Sequence, residues 1–337
     1  IFLDCLELPE NLVVIGGGPI GCELGQAFSR LGSKVTIVNR GDGLLSKEPQ
    51  NISGILERRF EEEGIRIMNR SEVSAFKDGK AIVVSSEHSS QENISNENQS
   101  QEKSSQKNPA NEIPCDTTLI AVGRLVNTEG MSLKTGGIAL TEKGKIQVDE
   151  YLQSTNKKVY VIGDAAGSYM FSHGAEKMVR QLWRNLLIPI FKKKNTWNDL
   201  SWVTFTDPQV AHFGLTEKRL ESQGKRYLRQ DQDFEHDDRA IVEEYTYSQM
   251  SLWLDDSGSI GNKKILSGSM IAPHAGELVQ ELELAKHAGV SISDLNDRVY
   301  PYPVATRINQ KAIRRVMEKT RKPWKLKLAR MAFRWFH

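Results

Sequence analysis

The sequence predicts an α/β fold, with a parallel-sheet domain first and a smaller α+β region last. Three observations carry this. Short continuous apolar runs alternate with helical patterns in the first part, as expected of strands buried on both faces of a parallel sheet. A cluster of glycines sits at the first strand-to-helix junction. From Trp202 on, the patterning becomes mixed, with short strands and helices but no glycine-rich nucleotide turn, which reads as a separate α+β domain.

Leu12–Ile15 is the first apolar run, and glycines follow at once. A helical pattern runs from Pro19 to about Leu31, with Ile20, Leu24, Ala27, Phe28 and Leu31 on one face; Gly32 ends it, and Val35–Val38 is the next strand. Strand, helix and strand fit in about 30 residues, the size of one βαβ unit. A helix from about Asn51 to Glu63, the strand Ile65–Met68, and short strands over 71–84 joined by the turn Asp78-Gly79 continue the domain. Residues 85–112 are rich in Ser, Asn, Gln and Glu and read as a disordered insert, because they cannot bury enough surface to offset their ordering entropy. Strand patterning resumes over 117–122 and again at Val159–Ile162, which ends in Gly163-Asp164; a helix follows from about Ser172 to Leu187. Beyond Trp202 the pattern predicts strands near 203–206, 243–247, 251–254 and 265–271, and helices near 217–223, 275–288, 292–296 and 305–319.

Composition excludes several classes. The formal net charge is +2, so no strong global field selects nucleic acid. The three cysteines, Cys5, Cys22 and Cys115, form no CxxC pair, which argues against a zinc site or a disulfide-stapled secreted fold and for a reducing, cytoplasmic setting. No metal ligands stand at metal-binding spacing, and no apolar run is long enough to span a bilayer. The start lacks a signal peptide and an initiator Met, so the chain reads as cut from something longer.

Gly16-Gly17-Gly18-Pro19-Ile20-Gly21 fits G-x-G-x-x-G. The first glycine permits the tight turn, the second a close approach of backbone to pyrophosphate, the third close helix–strand packing. The helix N-terminus then offers free N–H groups to phosphates. A strand before it, a helix after it and a second strand beyond make the turn a nicotinamide-dinucleotide site. That second strand ends at Asn39-Arg40, where NAD-binding domains place an acid on the adenine ribose. Asn39 carries no charge to repel a 2′-phosphate, and Arg40 could pair with one. This tilts the choice toward NADP and leaves NAD open.

The sequence resembles the pyridine nucleotide-disulfide oxidoreductases, in particular the mercuric-reductase-like branch. The likeness rests on Leu12–Glu23, Ala121-Val122-Gly123-Arg124, Ser154-Thr155 with Val159–Asp164, and Trp202–Pro208 with His274-Ala275-Gly276-Glu277. The resemblance implies a Rossmann-type NAD(P)-binding domain over residues 11–140, preceded by a connection over 1–10. It implies the C-terminal part of an FAD-binding domain over 141–197, a dimerisation domain over 198–318 and a basic tail over 319–337. It places NAD(P) on Gly16, Gly17, Gly18, Pro19, Ile20, Gly21, Cys22, Glu23, Asn39, Arg40, Val73, Gly123 and Arg124. It places FAD on Gly163, Asp164, Met170, Phe171, Ser172 and His173, with the Asp164 carboxylate accepting ribitol hydroxyls and the helix dipole stabilising charge on a reduced flavin. The implied chemistry is hydride transfer from NAD(P)H to flavin and on to a disulfide, metal-ion or other small acceptor, in a homodimer.

Three departures matter. The half that would carry the redox cysteine pair is absent, and Cys22 and Cys115 are not placed as redox partners. Tyr302 stands where disulfide reductases of this family have a catalytic His, with Arg307 where its orienting Glu is expected; a phenol is a poor base at neutral pH. The segment 324–336 has Trp324, Leu328, Met331, Ala332 and Trp335 on one helical face and Lys327, Arg330 and Arg334 on the other, which suits contact with a membrane surface or packing on the dimer. Two rival functions stay open: a catalytically inactive dinucleotide-binding scaffold, and a quinone-type reductase at a membrane.

Overall fold

A computed structural model describes residues 7–85, 111–167, 170–257, 262–319, 331 and 333. Cys5, almost all of the polar insert and the amphipathic tail apart from Met331 and Phe333 lie outside them. The chain divides into two compact units, Ile1–Val122 with Ser201–His337, and Gly123–Leu200.

In the first unit, β1 (Asn11–Ile15), β2 (Lys34–Val38), β3 (Arg66–Met68) and β7 (Thr117–Ile120) form a parallel sheet in the order β3-β2-β1-β7. Helix α1 (Pro19–Leu31) joins β1 to β2, and α2 (Gln50–Glu62) joins β2 to β3. Strands β4 (Ser71–Lys77), β5 (Lys80–Ser85) and β6 (Asn111–Pro114) make a small antiparallel sheet. Its hairpin turns at Asp78 and Gly79, both at positive φ, the turn geometry that a D-G pair favours. The two ends of the polar insert, Ser85 and Asn111–Glu112, are therefore strand residues rather than disordered ones. Ser85 is paired with Ser71 on β4 and Asn111 with Val83 on β5, and these pairings order them.

The face α1 buries is not the one its large apolar residues mark. Gly21, Cys22, Gly25 and Gln26 are buried, whereas Ile20 is 41% and Leu31 68% exposed. Close approach decides this: a Cβ at Gly25 would stand 3.3 Å from Ile37 Cδ1, so only the small-residue stripe lets the helix settle on the sheet.

The C-terminal part carries a five-stranded antiparallel sheet, β10-β11-β12-β9-β8. It comprises β8 (Ser201–Thr204), β9 (Gln209–Gly214), β10 (Tyr227–Asp233), β11 (Gln249–Asp255) and β12 (Ile265–Ala272), with α4 (Glu217–Ser222), α5 (Asp238–Val242), α6 (Ala275–Leu278), α7 (Gln280–Ala288), α8 (Ile292–Asp297) and α9 (Arg307–Lys319) around it. The expected strand at 243–247 does not form. Those residues close α5, with Glu244 at φ 59° and the Tyr245 amide donating to the Ala240 carbonyl. The sheet is also less separate than its sequence suggests. Val210 and Ile271 share one buried cluster with Leu12, Val14, Ile37 and Phe60, so the two regions of this unit are welded by a common core. Burying a side chain of this kind is worth about 1.5–3 kcal/mol.

The second unit is built mostly of turns. Its β contacts are isolated bridges, Leu140 with Ile146, Val148 with Ser154 and Gln153 with Tyr160. The expected strand at Val159–Ile162 is reduced to the last of these, held by the Ser154 and Val161 amides donating to the Val159 and Leu152 carbonyls. A 3-10 turn, Gly163–Ala166, leads to the helix α3 (Ser172–Leu187). Among the described residues no helix is long and apolar enough to cross a membrane.

Candidate dinucleotide site and its supports

Strand β1 is buried at Leu12, Val13 and Val14 and delivers the chain into the glycine turn at the sheet's C-terminal edge, where open α/β sheets bind ligands. Gly16 has φ 114°, and its amide donates to the Val38 carbonyl at 2.9 Å. A Cβ there would lie 2.6 Å from the Ala121 carbonyl oxygen; one at Gly17 would lie 2.7 Å from Leu44 Cδ2; one at Gly21 would lie 2.0 Å from the Gly16 carbonyl oxygen. The protein itself therefore requires these three glycines. Gly18 differs. Its φ is −80°, open to any residue, and a Cβ would meet nothing within 4 Å. Neither conformation nor packing within the chain requires a glycine there. Gly18 is also the N-cap of α1. No side chain caps it, Pro19 occupies the first turn, and no acidic residue lies in that turn. An uncapped amide end and the positive end of the helix dipole give this position the chemistry that suits an anion.

The other dinucleotide candidates fall in varied places. Cys22 is buried, and its thiol lies 3.5 Å from the Gly17 carbonyl. Burial above all, helped by Glu23 and Glu57, pushes that thiol far above its ordinary range, so it is no nucleophile. Glu23 accepts a 2.7 Å hydrogen bond from the Phe205 amide through Oε1. Asn39 spends its amide N–H groups on the Gly43 and Gly41 carbonyls and Asn69 Oδ1, at 2.9, 3.3 and 3.0 Å. It shapes the 39–43 loop that presents Arg40. Arg40 is exposed, and among the described residues its guanidinium has no partner. Val73 packs into the small cluster with Val13 and Ala81. Gly123 and Arg124 belong to the second unit.

In that unit, Gly163 has φ 66°, and its amide lies 3.2 Å from Met178 Sδ. Asp164 stands 3.7 Å from the Arg124 guanidinium, which also donates to the Met170 carbonyl at 3.1 Å. Arg124 thus gathers with the flavin candidates. Phe171 and His173 stack at 5.2 Å between ring centroids, and the N-terminus of α3 at Ser172 has no side-chain cap.

Near the C-terminus, Tyr302 is 68% exposed, and the Arg307 guanidinium lies 4.9 Å from its ring centroid. The loop carrying Tyr302 is anchored beneath: Glu281 accepts from the Tyr300 hydroxyl at 2.7 Å, from Asn309 Nδ2 at 3.1 Å, and from Arg298. Burial and Glu281 push the Tyr300 phenol well above its ordinary range.

One cluster escaped sequence reasoning. The Glu48 carboxylate, 3% exposed, accepts from Trp202 Nε1 at 2.7 Å and Ser269 Oγ at 2.6 Å, and faces His212 Nδ1 at 3.5 Å. Burial pushes its pKa up, but the His212 charge and these donors outweigh burial and hold it below the carboxylate norm. Its partners lie 154 to 221 residues away in sequence, so no local signal could reveal it. Among the described residues no cluster of three or more His, Cys, Asp or Glu could hold a metal ion.

The parallel sheet, glycine turn and open helix end define an α/β protein with a Rossmann-type sheet. Family models narrow this. Residues 3–178 match the pyridine nucleotide-disulphide oxidoreductase model and residues 200–313 its dimerisation domain, and the chain belongs to that family. It is 28% identical over 301 residues to mercuric reductase of Staphylococcus aureus, covering 89% of this chain and 51% of that protein. Mercuric reductase of Streptomyces lividans is 30% identical, with 89% and 58% covered. Dihydrolipoyl dehydrogenase of Thermus scotoductus is 29% identical, with 88% and 59% covered. The chain thus spans between half and three-fifths of these relatives. Its fold matches the HOCl-induced flavoprotein disulfide reductase RclA from Escherichia coli, with TM-score 0.74 and 23% identity over 93% of this chain and 66% of that one.

Proposed function

We propose that the chain is the nicotinamide-binding and dimerisation part of an FAD-dependent oxidoreductase that takes a hydride from NAD(P)H and passes two electrons to a small acceptor. The observation that carries this is the open space at Gly18 between three glycines the chain itself demands. The α1 N-terminus would hold the pyrophosphate, and the Asn39-braced loop would offer Arg40 to a 2′-phosphate, which favours NADP(H). Asp164, Gly163 and the α3 N-terminus would hold FAD. The residues fit that group, since an exposed carboxylate with a nearby cation and an uncapped helix end stand together. When bound, FAD supplies the two-electron chemistry; the protein orients the two cofactors and excludes water.

The match to the family's dimerisation domain supports a homodimer, in which Tyr302 would reach the partner's site. Arg307 stacked on Tyr302 supplies no carboxylate to orient a base, which favours an acceptor such as a metal ion or a quinone over a disulfide. The test is direct. The full-length protein should carry a yellow flavin that bleaches on adding NADPH, faster than with NADH. A flavin that bleaches with neither coenzyme leaves the scaffold reading in possession.

A further inference from the structure

Glu48 is not among the candidate nucleotide residues, yet its surroundings lead back to the glycine turn. Its amide donates to the Leu45 carbonyl at 2.8 Å, and the Leu45 amide donates to the Gly17 carbonyl at 2.8 Å. Leu45 is held at φ 48°, and Leu44 and Leu45 are buried at 1% and 3%. Leu44 is the side chain that crowds Gly17. Its amide donates at 2.6 Å to Glu57 on α2. The segment 44–48 is therefore the floor of the turn.

At its far end, that floor is fixed to three strands of the C-terminal sheet. Trp202 on β8 and Ser269 on β12 each give the Glu48 carboxylate a hydrogen bond, and His212 on β9 faces it. The imidazole is 1% exposed, stacks on Trp202 at 4.3 Å and tilts against Trp253 at 6.4 Å. Neither of its ring nitrogens finds a hydrogen-bond partner among the described residues. A buried imidazole 3.5 Å from a buried carboxylate is a costly arrangement to place in an interior. Packing alone would be better served by apolar residues.

We propose that Glu48 is a positioning residue for coenzyme binding. Through Leu45 and Gly17 it fixes the glycine turn against the C-terminal sheet, and His212, Trp202 and Ser269 hold Glu48 in place. The coenzyme's affinity then depends on four buried side chains that all lie beneath the turn. This rests on the reading of Gly16–Gly21 as the NAD(P)H site.

The test uses the full-length flavoprotein. Glu48→Gln keeps the shape and one acceptor oxygen but turns an amide N–H toward one of the two donors, Trp202 or Ser269. NADPH affinity, read by coenzyme fluorescence, should weaken roughly threefold to tenfold. In turnover with an artificial electron acceptor, KM for NADPH should rise while kcat at saturation and flavin content hold. Ser269→Ala and Trp202→Phe remove one donor each and should give smaller losses in the same direction; they decide the matter if Glu48→Gln does not fold. Unchanged NADPH affinity in folded variants, or a loss confined to melting temperature, overturns the proposal. A wild-type protein that ignores NADPH, or Gly18→Val binding as tightly as wild type, overturns the site reading beneath it instead.

Discussion

The two candidate nucleotide regions share one grammar, an apolar run, a glycine and a helix, yet differ in the support they carry. The Gly16–Gly21 turn closes a four-stranded parallel sheet, and three of its glycines are fixed by backbone or side-chain neighbours under 3 Å from an added Cβ. The Gly163-Asp164 turn follows a single bridge at Tyr160, and a Cβ at Gly163 would meet only Ala175 at 3.4 Å. A local motif specifies a turn; neighbouring strands make that turn rigid. The first turn is held rigid by its neighbours, whereas the second stands with little support.

Substitutions can break this contrast, and the largest effect belongs to Gly21→Ala. With a built Cβ 2.0 Å from the Gly16 carbonyl oxygen, helix and strand must part. Thermal unfolding should show a loss of at least about 3 kcal/mol, with coenzyme binding abolished. Gly18→Val separates ligand from fold: stability should move by less than about 0.5 kcal/mol, while NADPH affinity falls roughly tenfold to a hundredfold. Equal damage to both would show that Gly18 serves the fold. Gly163→Ala should cost only about 1–2 kcal/mol, the penalty of a left-handed non-glycine residue, because nothing stands closer than Ala175.

The smallest effect is a pH dependence. Glu48 ionises more readily when folded than when unfolded. Its contribution to stability is therefore present above the unfolded carboxylate's pKa, near about 4.3, and fades as pH falls through the lower folded value. Melting curves across the acid range should show wild type losing stability more steeply than Glu48→Gln. Parallel curves would remove the charge from the account.

Much of the dinucleotide region was legible in sequence. The α1 boundaries, the two strands that flank it and the Asp78-Gly79 hairpin follow from glycine placement and apolar runs, which act over a few residues. The buried face of α1 was not, because close approach selected glycines over Ile20 and Leu31. Strands β9 and β10 escaped because His212, Gln230 and Gln232 break the alternation of apolar residues, although all three are buried. The Asn39 carboxamide was visible as a residue but not as a brace, since its partners Gly43 and Asn69 come together only once β3 is in place. The family segments located the flavin candidates; they did not reveal that Arg124 sits with Asp164.

One joint in the first unit sets rules for recombining it. Gln26 and Asp207 exchange a pair of hydrogen bonds, amide nitrogen to carbonyl at 2.7 Å and backbone amide to amide oxygen at 2.8 Å. Arg30 ties Asp207 to Glu63, and Glu23 holds Phe205. A chimera that imported a dinucleotide module from a relative to change coenzyme choice would sever every contact to Phe205 and Asp207. Such a graft should be soluble only if residues 202–208 travel with it, so the portable piece of this protein is not contiguous in its gene.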